Sequence, residues 1–502
     1  MKQLMITFRS QTAPDHVLAG VRAGEITAFC MFAGINVTSP AQARALNDTL
    51  YAAAAAGGLP PPIIGTDQEG GQLIAIASGA TELPGNMALG ATRSTALAEQ
   101  AGIVLARELL AMGFNMNFAP CLDVNNNPEN PVVGTRSFGD DPALVGELGA
   151  AMIRGMQREG VLAVAKHFPG HGDTSGDSHY LTPAVREPIE RLRAVELPSF
   201  EAAVRARVAA VLTAHVVYTA LDTEQPATLS RPILTGLLRE KMAYDGLILT
   251  DAMDMHAVSA RGAGLAVSQA LQAGVDLALL GHLPDQEQLA LAMQPLENAD
   301  SVRRIARARA VLPRTLPPLS VVGCAEHQAI AQEIADRSIT LVRDRAGALP
   351  LQLPAQERLG LVYVRPANLT PADTSSAVQL ALPEALARRH ANLISASLPF
   401  QGSDADVRAC LEAVAGCGTV IVGTMATALD PRQVALVDAL RARGQHVIAV
   451  ALRIPYDVMA FPAVDTCLCA YSVRAVSMEA LARVLFGERE AQGRLPVHVP
   501  GV

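Results

Sequence analysis

The sequence predicts an α/β fold in two parts: a (β/α)8 barrel of the TIM type, then a smaller α/β sandwich domain with a mostly parallel sheet. Three observations lead there. From Ile26 to about Gly281, short apolar runs alternate with Ala/Leu-rich amphipathic stretches, the rhythm of βα units and hence of a parallel sheet. Polar residues gather directly after these runs, where a barrel places its chemistry. Pro313, Pro317 and Pro318 then mark a break, and a second α/β rhythm follows. The assignment is a barrel over 1–318, a linker over 319–335 and the sandwich over 336–502. Periodicity alone also admits a doubly wound open sheet for the first part.

The strand runs of the first part are 26–32, 63–67, 114–120, 161–167, 208–215, 246–251 and 275–280. Seven or eight βα units in roughly 300 residues suit a barrel. The runs end in Asp67-Gln-Glu69, Asp123, Lys166-His167, His215 and Asp251. A lone Asp after a strand is usually a helix N-cap, but caps explain such a recurrence poorly. In the second part, runs 359–364, 391–398, 418–425, 446–452 and 466–471 are flanked by helices such as 405–415 and 431–443. Their ends carry no comparable ionisable cluster.

Composition narrows the function. Half of the residues are hydrophobic and 18% are charged, enough apolar material for large cores. No apolar run approaches the roughly 18 residues of a spanning helix, so no membrane role is expected. A net charge of −8, with Lys and Arg scattered, argues against a nucleic-acid partner. The start, Met1 to Arg9, is too short and too quickly charged for a secretory apolar region. Seven cysteines, mostly inside apolar runs, read as reduced thiols of a cytoplasmic protein. The chain lacks Trp and only 4% of its residues are aromatic. A sugar ligand would therefore be held as one unit in a small polar pocket, not on a long aromatic platform.

Residues 166–180, Lys-His-Phe-Pro-Gly-His-Gly-Asp-Thr-Ser-Gly-Asp-Ser-His-Tyr, are the most informative stretch. They follow the buried run Val161–Ala165 and concentrate His167, His171, His179, Asp173 and Asp177. Gly170, Gly172 and Gly176 allow the loop to bend sharply and to move. Asp177 lies two residues from His179, where a carboxylate can fix the imidazole tautomer and raise the basicity of the other nitrogen. Asp251 ends its strand and is expected to point into the rim, and Asp254 to lie in the first turn of the next helix. A nucleophilic carboxylate opposite an acid/base group is what retaining glycoside hydrolysis requires. The same residues leave two other classes open: a barrel hydrolase with a metal on His167, His171, His179 and an Asp, and a sugar-binding protein without turnover.

The chain resembles glycoside hydrolase family 3, in particular its bacterial β-N-acetylglucosaminidase branch. The motifs that carry the resemblance are Asp67-Gln-Glu-Gly-Gly71, Leu83–Gly90, Ala119–Val124, Gly134–Gly139, the 166–180 segment, Thr250–Met255 and the ending Gly493–Pro500. The resemblance implies Asp251 as nucleophile, His179 as acid/base and Asp177 as its orienting partner. It implies Asp67, Arg136, Lys166 and His167 as binders of the sugar hydroxyls, with no metal and no cofactor. The implied substrate is a small glycoside or muropeptide fragment with a terminal β-linked N-acetylglucosamine, and the implied state is a monomer or weak homo-oligomer. A β-glucosidase, a β-xylosidase or a phosphorylase of the same family is the alternative. One departure stands out: the family usually has arginine at the positions of Ala75 and Gln72, and the first of these contacts the sugar.

Overall fold

The computed structural model describes residues 2–502. Eight parallel strands form the first sheet: Leu4–Ile6, Ala28–Cys30, Ile63–Thr66, Met116–Asn117, Leu162–Phe168, Ala210–Thr213, Leu247–Thr250 and Ala278–Leu279. Each pairs with its neighbours in sequence, and the first strand pairs with the eighth. A parallel bridge between Leu249 and Leu277 joins the seventh to the eighth and closes the ring. The barrel is present, and the open-sheet alternative is excluded.

Side-chain alternation along these strands builds two cores. Leu162, Val164, Ala210, Leu212, Leu247, Leu249, Leu277 and Leu279 fill the barrel interior with Met5, Ile63 and Phe118. The residues between them, such as Ala163, Ala165, Val211 and Ile248, pack outward under the helices. The first strand, absent from the sequence reading, is only three residues long. It becomes a strand because Met5 and Ile6 find Ala28 and Phe29 on one side while Leu4 and Met5 find Ala278 and Leu279 on the other. The fourth strand is shorter than the 114–120 run. Pro120 has no N–H to give to a ladder, and past Asn117 the pairing continues only as a bridge between Cys121 and Lys166.

The helices around the barrel follow local signals. Asp141 caps Pro142–Arg158 by accepting from the Ala143 N–H, with Pro142 at the first helical position, as such termini favour. This helix packs closely on Thr95–Ala111. The contact depends on glycine: a Cβ on Gly155 would stand 2.2 Å from the Glu99 carbonyl oxygen, and one on Gly102 would stand 2.3 Å from that of Met152.

The second sheet has six strands in the order Thr340–Asp344, Thr466–Cys469, His446–Ala451, Thr419–Thr424, Leu359–Val364 and Leu393–Leu398. Five are parallel, and Thr340–Asp344 runs antiparallel at the edge. That edge strand escaped the sequence reading because its Arg343 and Asp344 break the apolar run. The segment expected as a linker carries most of a helix, Ala325–Ser338. Its Ala331 and Ile334 belong to the barrel-side core and its Ala335 to the sandwich core, so the two parts share this helix as packing material. The chain end returns to the barrel as well: Arg494 N–H donates to the Ala91 carbonyl, and Asp140 N–H to that of Pro496.

Replacing Gly155 with Val should wedge the two helices apart and cost about 1–3 kcal/mol or more, the usual cost of overpacking a tight contact. A lowered urea midpoint checks this; an unchanged midpoint would show that the helices can separate freely.

Candidate active site

Strand parity determines which side chains reach the barrel mouth. Leu162 and Val164 point inward, and Lys166 continues their face. Leu247 and Leu249 are likewise continued by Asp251, and Ile63, two residues short of Gly65, by Asp67. His167 would fall on the opposite face, but the register with the sixth strand shifts between Ala165 and Phe168. Lys166 and His167 therefore both line one cavity of about 380 Å³, with Asp67, Arg136, His179 and Asp251. Asp177 stands behind His179.

The floor of the cavity is a network of paired charges. Lys166 Nζ lies 2.6 Å from Asp67 Oδ1 and 2.7 Å from Glu69 Oε1. Arg136 grips Glu69 through Nε and Nη2, at 3.0 and 2.8 Å. Burial alone would raise the Glu69 pKa, but the two cations outweigh it and hold the carboxyl at about 2. Burial would likewise lower the pKa values of Lys166 and Arg136, but their anions outweigh it and raise both. The sequence assigns Glu69 no role of its own; its place two residues after Asp67 is the signal that points to it.

Asp123 is the second organising anion. It is fully buried, and accepts from His167 Nδ1 at 2.6 Å and from the N–H groups of His167 and His171 at 3.1 and 2.7 Å. These contacts overcome burial and hold its carboxyl far below the usual range. The other nitrogen of His167 sits 3.3 Å from Arg136 and 4.0 Å from Asp251 Oδ2. Asp251, whose side chain is 27% exposed, is held at about 2. Burial would raise it, but the imidazoles of His167, His215 and His179 and the Lys166 ammonium prevail. It is thus a carboxylate at any pH near neutrality. His215 sits beside it as a strut: Nε2–H donates to the Ala252 carbonyl at 3.1 Å while Nδ1 meets Thr228 Oγ1 at 2.7 Å.

Asp177 Oδ1 accepts from His179 Nδ1 at 2.6 Å and from its backbone N–H at 2.9 Å. This fixes the ring and leaves Nε2 to exchange a proton at the cavity. The first half of this loop is not free to swing. A Cβ on Gly172 would stand 1.7 Å from the Val124 carbonyl oxygen, so glycine here serves close approach and not the motion expected from the sequence. Asn130 donates to the carbonyls of His171 and Thr174 and accepts from the N–H groups of Val132 and Val133. No sequence signal singled it out. Asp254 also departs from expectation. It precedes the helix, lines the cavity and accepts from the His282 N–H at 2.7 Å.

The three loop histidines do not converge on one point. His171 lies between Thr174 and Ser178, and burial lowers its pKa to about 4. Among the described residues, ligand atoms gather tightly enough for a metal ion only at Cys121, Asp123 and His167. All three are buried, and Cys121 donates to Asp123. That is not the set the metal-hydrolase alternative needed. Of the two positions where arginine was missing, Ala75 lines the cavity. Gln72 does not, and instead accepts from Thr135 Oγ1 and Arg453, both at 2.7 Å.

The profile of the Glycosyl hydrolase family 3 N terminal domain matches residues 1–309. The chain belongs to glycosyl hydrolase family 3. It is 30% identical to Beta-hexosaminidase A of Pseudoalteromonas piscicida over 538 aligned positions, covering 92% of this chain and 88% of that one. It is 38% identical to a Beta-hexosaminidase of Thiobacillus denitrificans, over 54% of this chain and 76% of that one. Among solved structures, a glycoside hydrolase family 3 beta-N-acetylglucosaminidase from Paenibacillus sp. str. FPU-7 superposes with a TM-score of 0.92. The two are 34% identical, and the match covers 100% of this chain and 98% of the other.

Two outcomes follow from the charges. Glu69, depressed to about 2, binds protons more tightly in the unfolded chain. Its share of the stability should be complete above about pH 5 and lost as the pH falls toward 2. Acid unfolding followed by circular dichroism checks this: Glu69→Gln should be less stable at pH 7 and should flatten the acid limb. Asn130→Ala should lower kcat by an order of magnitude or more by freeing the loop that carries His179, with the far-UV spectrum unchanged.

Proposed function

We propose that this family 3 member is a retaining, exo-acting β-N-acetylglucosaminidase. One observation carries the reading: the ionised Asp251 carboxylate and the Asp177–His179 dyad share one small pocket, in a chain that matches a β-N-acetylglucosaminidase along its whole length. A pocket of about 380 Å³ suits one terminal sugar unit, which supports exo action.

In this reading Asp67, Arg136, Lys166 and His167 hold the hydroxyls of the sugar. Asp251 attacks the anomeric carbon while the glycosidic bond breaks, and His179 Nε2–H gives its proton to the departing oxygen. Asp177 steadies the imidazolium before transfer and the tautomer after it. His179 then takes a proton from water, the resulting hydroxide attacks the anomeric carbon, and Asp251 is released. Two inversions at one carbon return the β-anomer. The natural substrate is read as a small cell-wall fragment handled in the cytoplasm. Seven unpaired cysteines, six of them buried, support that compartment.

The test is a panel of p-nitrophenyl glycosides with and without phosphate. The N-acetyl-β-glucosaminide should be cleaved best and without need of phosphate; preference for a glucoside, a xyloside or phosphate would select the alternatives. Asp251→Ala should remove nearly all turnover, and NMR should find β-N-acetylglucosamine as the first-formed product. His179→Ala should lose about 10²–10⁴-fold on substrates with poor leaving groups and much less on activated aryl glycosides. Equal losses on both would remove His179 from the acid role.

A further inference from the structure

The cavity is not made by the barrel alone. Pro371, Ala372 and Thr374 of the sandwich domain line it on the side of Ala75. They are clamped to the short antiparallel pair Gln68–Gly70 and Leu73–Ile74, which follows Asp67, and to the turn between its strands. Thr374 N–H donates to the Gln72 carbonyl at 2.8 Å, its Oγ1 accepts from the Ile74 N–H at 3.2 Å, and Gln72 Nε2 donates to the Ala372 carbonyl at 3.3 Å. Between the lining residues, Asp373 turns inward and is fully buried. Its carboxylate accepts from the N–H groups of Leu369 and Ser375 and from Arg453 at 2.8 Å. The other arm of Arg453 reaches Gln72 Oε1 at 2.7 Å, and that oxygen also accepts from Thr135, the neighbour of Arg136.

We propose that segment Pro371–Thr374 is a specificity-determining wall of the sugar pocket, and that Arg453 is the residue that positions it. The proposal rests on the reading of this cavity as a sugar pocket and names how that pocket selects. Lining residues Leu73, Ala75, Pro371 and Ala372 present no charge on this side, so recognition here works by shape and exclusion of water, not by a charge-assisted donor. Arg453 does not line this cavity. It is a buried cation with one anionic partner, and one guanidinium holds both the wall and the barrel segment the wall must meet. A lysine would offer one point charge instead of two directed arms.

The test compares wild type with Arg453→Met, Arg453→Lys and Ala372→Leu, by steady-state kinetics on p-nitrophenyl N-acetyl-β-glucosaminide and by calorimetric titration with N-acetylglucosamine. Ala372→Leu should crowd the pocket and raise both KM and the dissociation constant about tenfold or more, with the melting temperature unchanged. Arg453→Met should raise KM about tenfold while kcat stays within about threefold, and Arg453→Lys should recover part of the loss. Unchanged KM and sugar affinity in both Ala372→Leu and a folded Arg453→Met would overturn the proposal. If Arg453→Met does not fold, Ala372→Leu, at a partly exposed position, decides alone. A wild type inactive on the N-acetylglucosaminide defeats the functional reading instead. The wall is then judged by the same KM comparison on whichever glycoside is cleaved, and by the titration if none is; an unchanged value in Ala372→Leu overturns it there too.

Discussion

Burying Arg136 and Lys166 at the mouth of the barrel would be prohibitive if either cation were left alone, and Glu69 prevents this by meeting both. Two buried cations around one buried anion, with Asp67 as the second, half-buried anion, leave little freedom of orientation. Desolvation is offset only while all the contacts are made, so the cluster fixes three elements at once: the loop after the third strand, the turn at Gly134–Arg136 and the end of the fifth strand. Asp123 does the same for the histidine loop, accepting from both His167 and His171. The pocket is rigid because its charges are mutually dependent.

The same logic extends across the domain boundary. Arg453 and Arg474 are both buried, and each crosses to the turn that joins the strand pair beyond Asp67: Arg453 to Gln72, and Arg474 to the Gly71 carbonyl, with Glu82 as its second barrel partner. Against the sequence expectation, the sandwich domain does gather charges past its strand ends, with Arg453 beside Asp373 and Asp457. Its contribution is a wall and the arginines that hold it. With the shared helix Ala325–Ser338 and the returning tail after Gly493, these contacts make the second domain part of the pocket's architecture.

Much of the barrel was legible because buried parallel strands must be apolar on both faces, which leaves a visible run and a polar residue at its end. Asp67, Lys166, His167 and Asp251 each follow such a run, and for Asp67, Lys166 and Asp251 parity along the strand then aims the side chain inward. Leu4–Ile6 was not legible, since a three-residue strand has no periodicity and exists only through its two neighbours. Asn130 carried no signal, and Glu69 and Asp123 showed only as polar residues at strand ends, because the roles of all three lie in partners far away in sequence. Asp254 was misread for a related reason: a helix-start signal competes with a distant N–H, and that of His282 won.

By itself the sequence determined the βα rhythm, the positions of the polar strand ends, the adjacency of Asp177 and His179, and membership of a family recognisable by its motifs. All of these depend on residues close in the chain, where spacing and local propensity decide. Only the tertiary structure decided that Glu69 is shared by two cations, that Gly172 is dictated by the Val124 carbonyl, and that Gln72 faces Arg453 instead of the pocket. It also decided that residues more than 300 positions past Asp67 wall the cavity. These outcomes follow from which groups are brought together and stripped of water, and burial pairs charges across any separation in sequence.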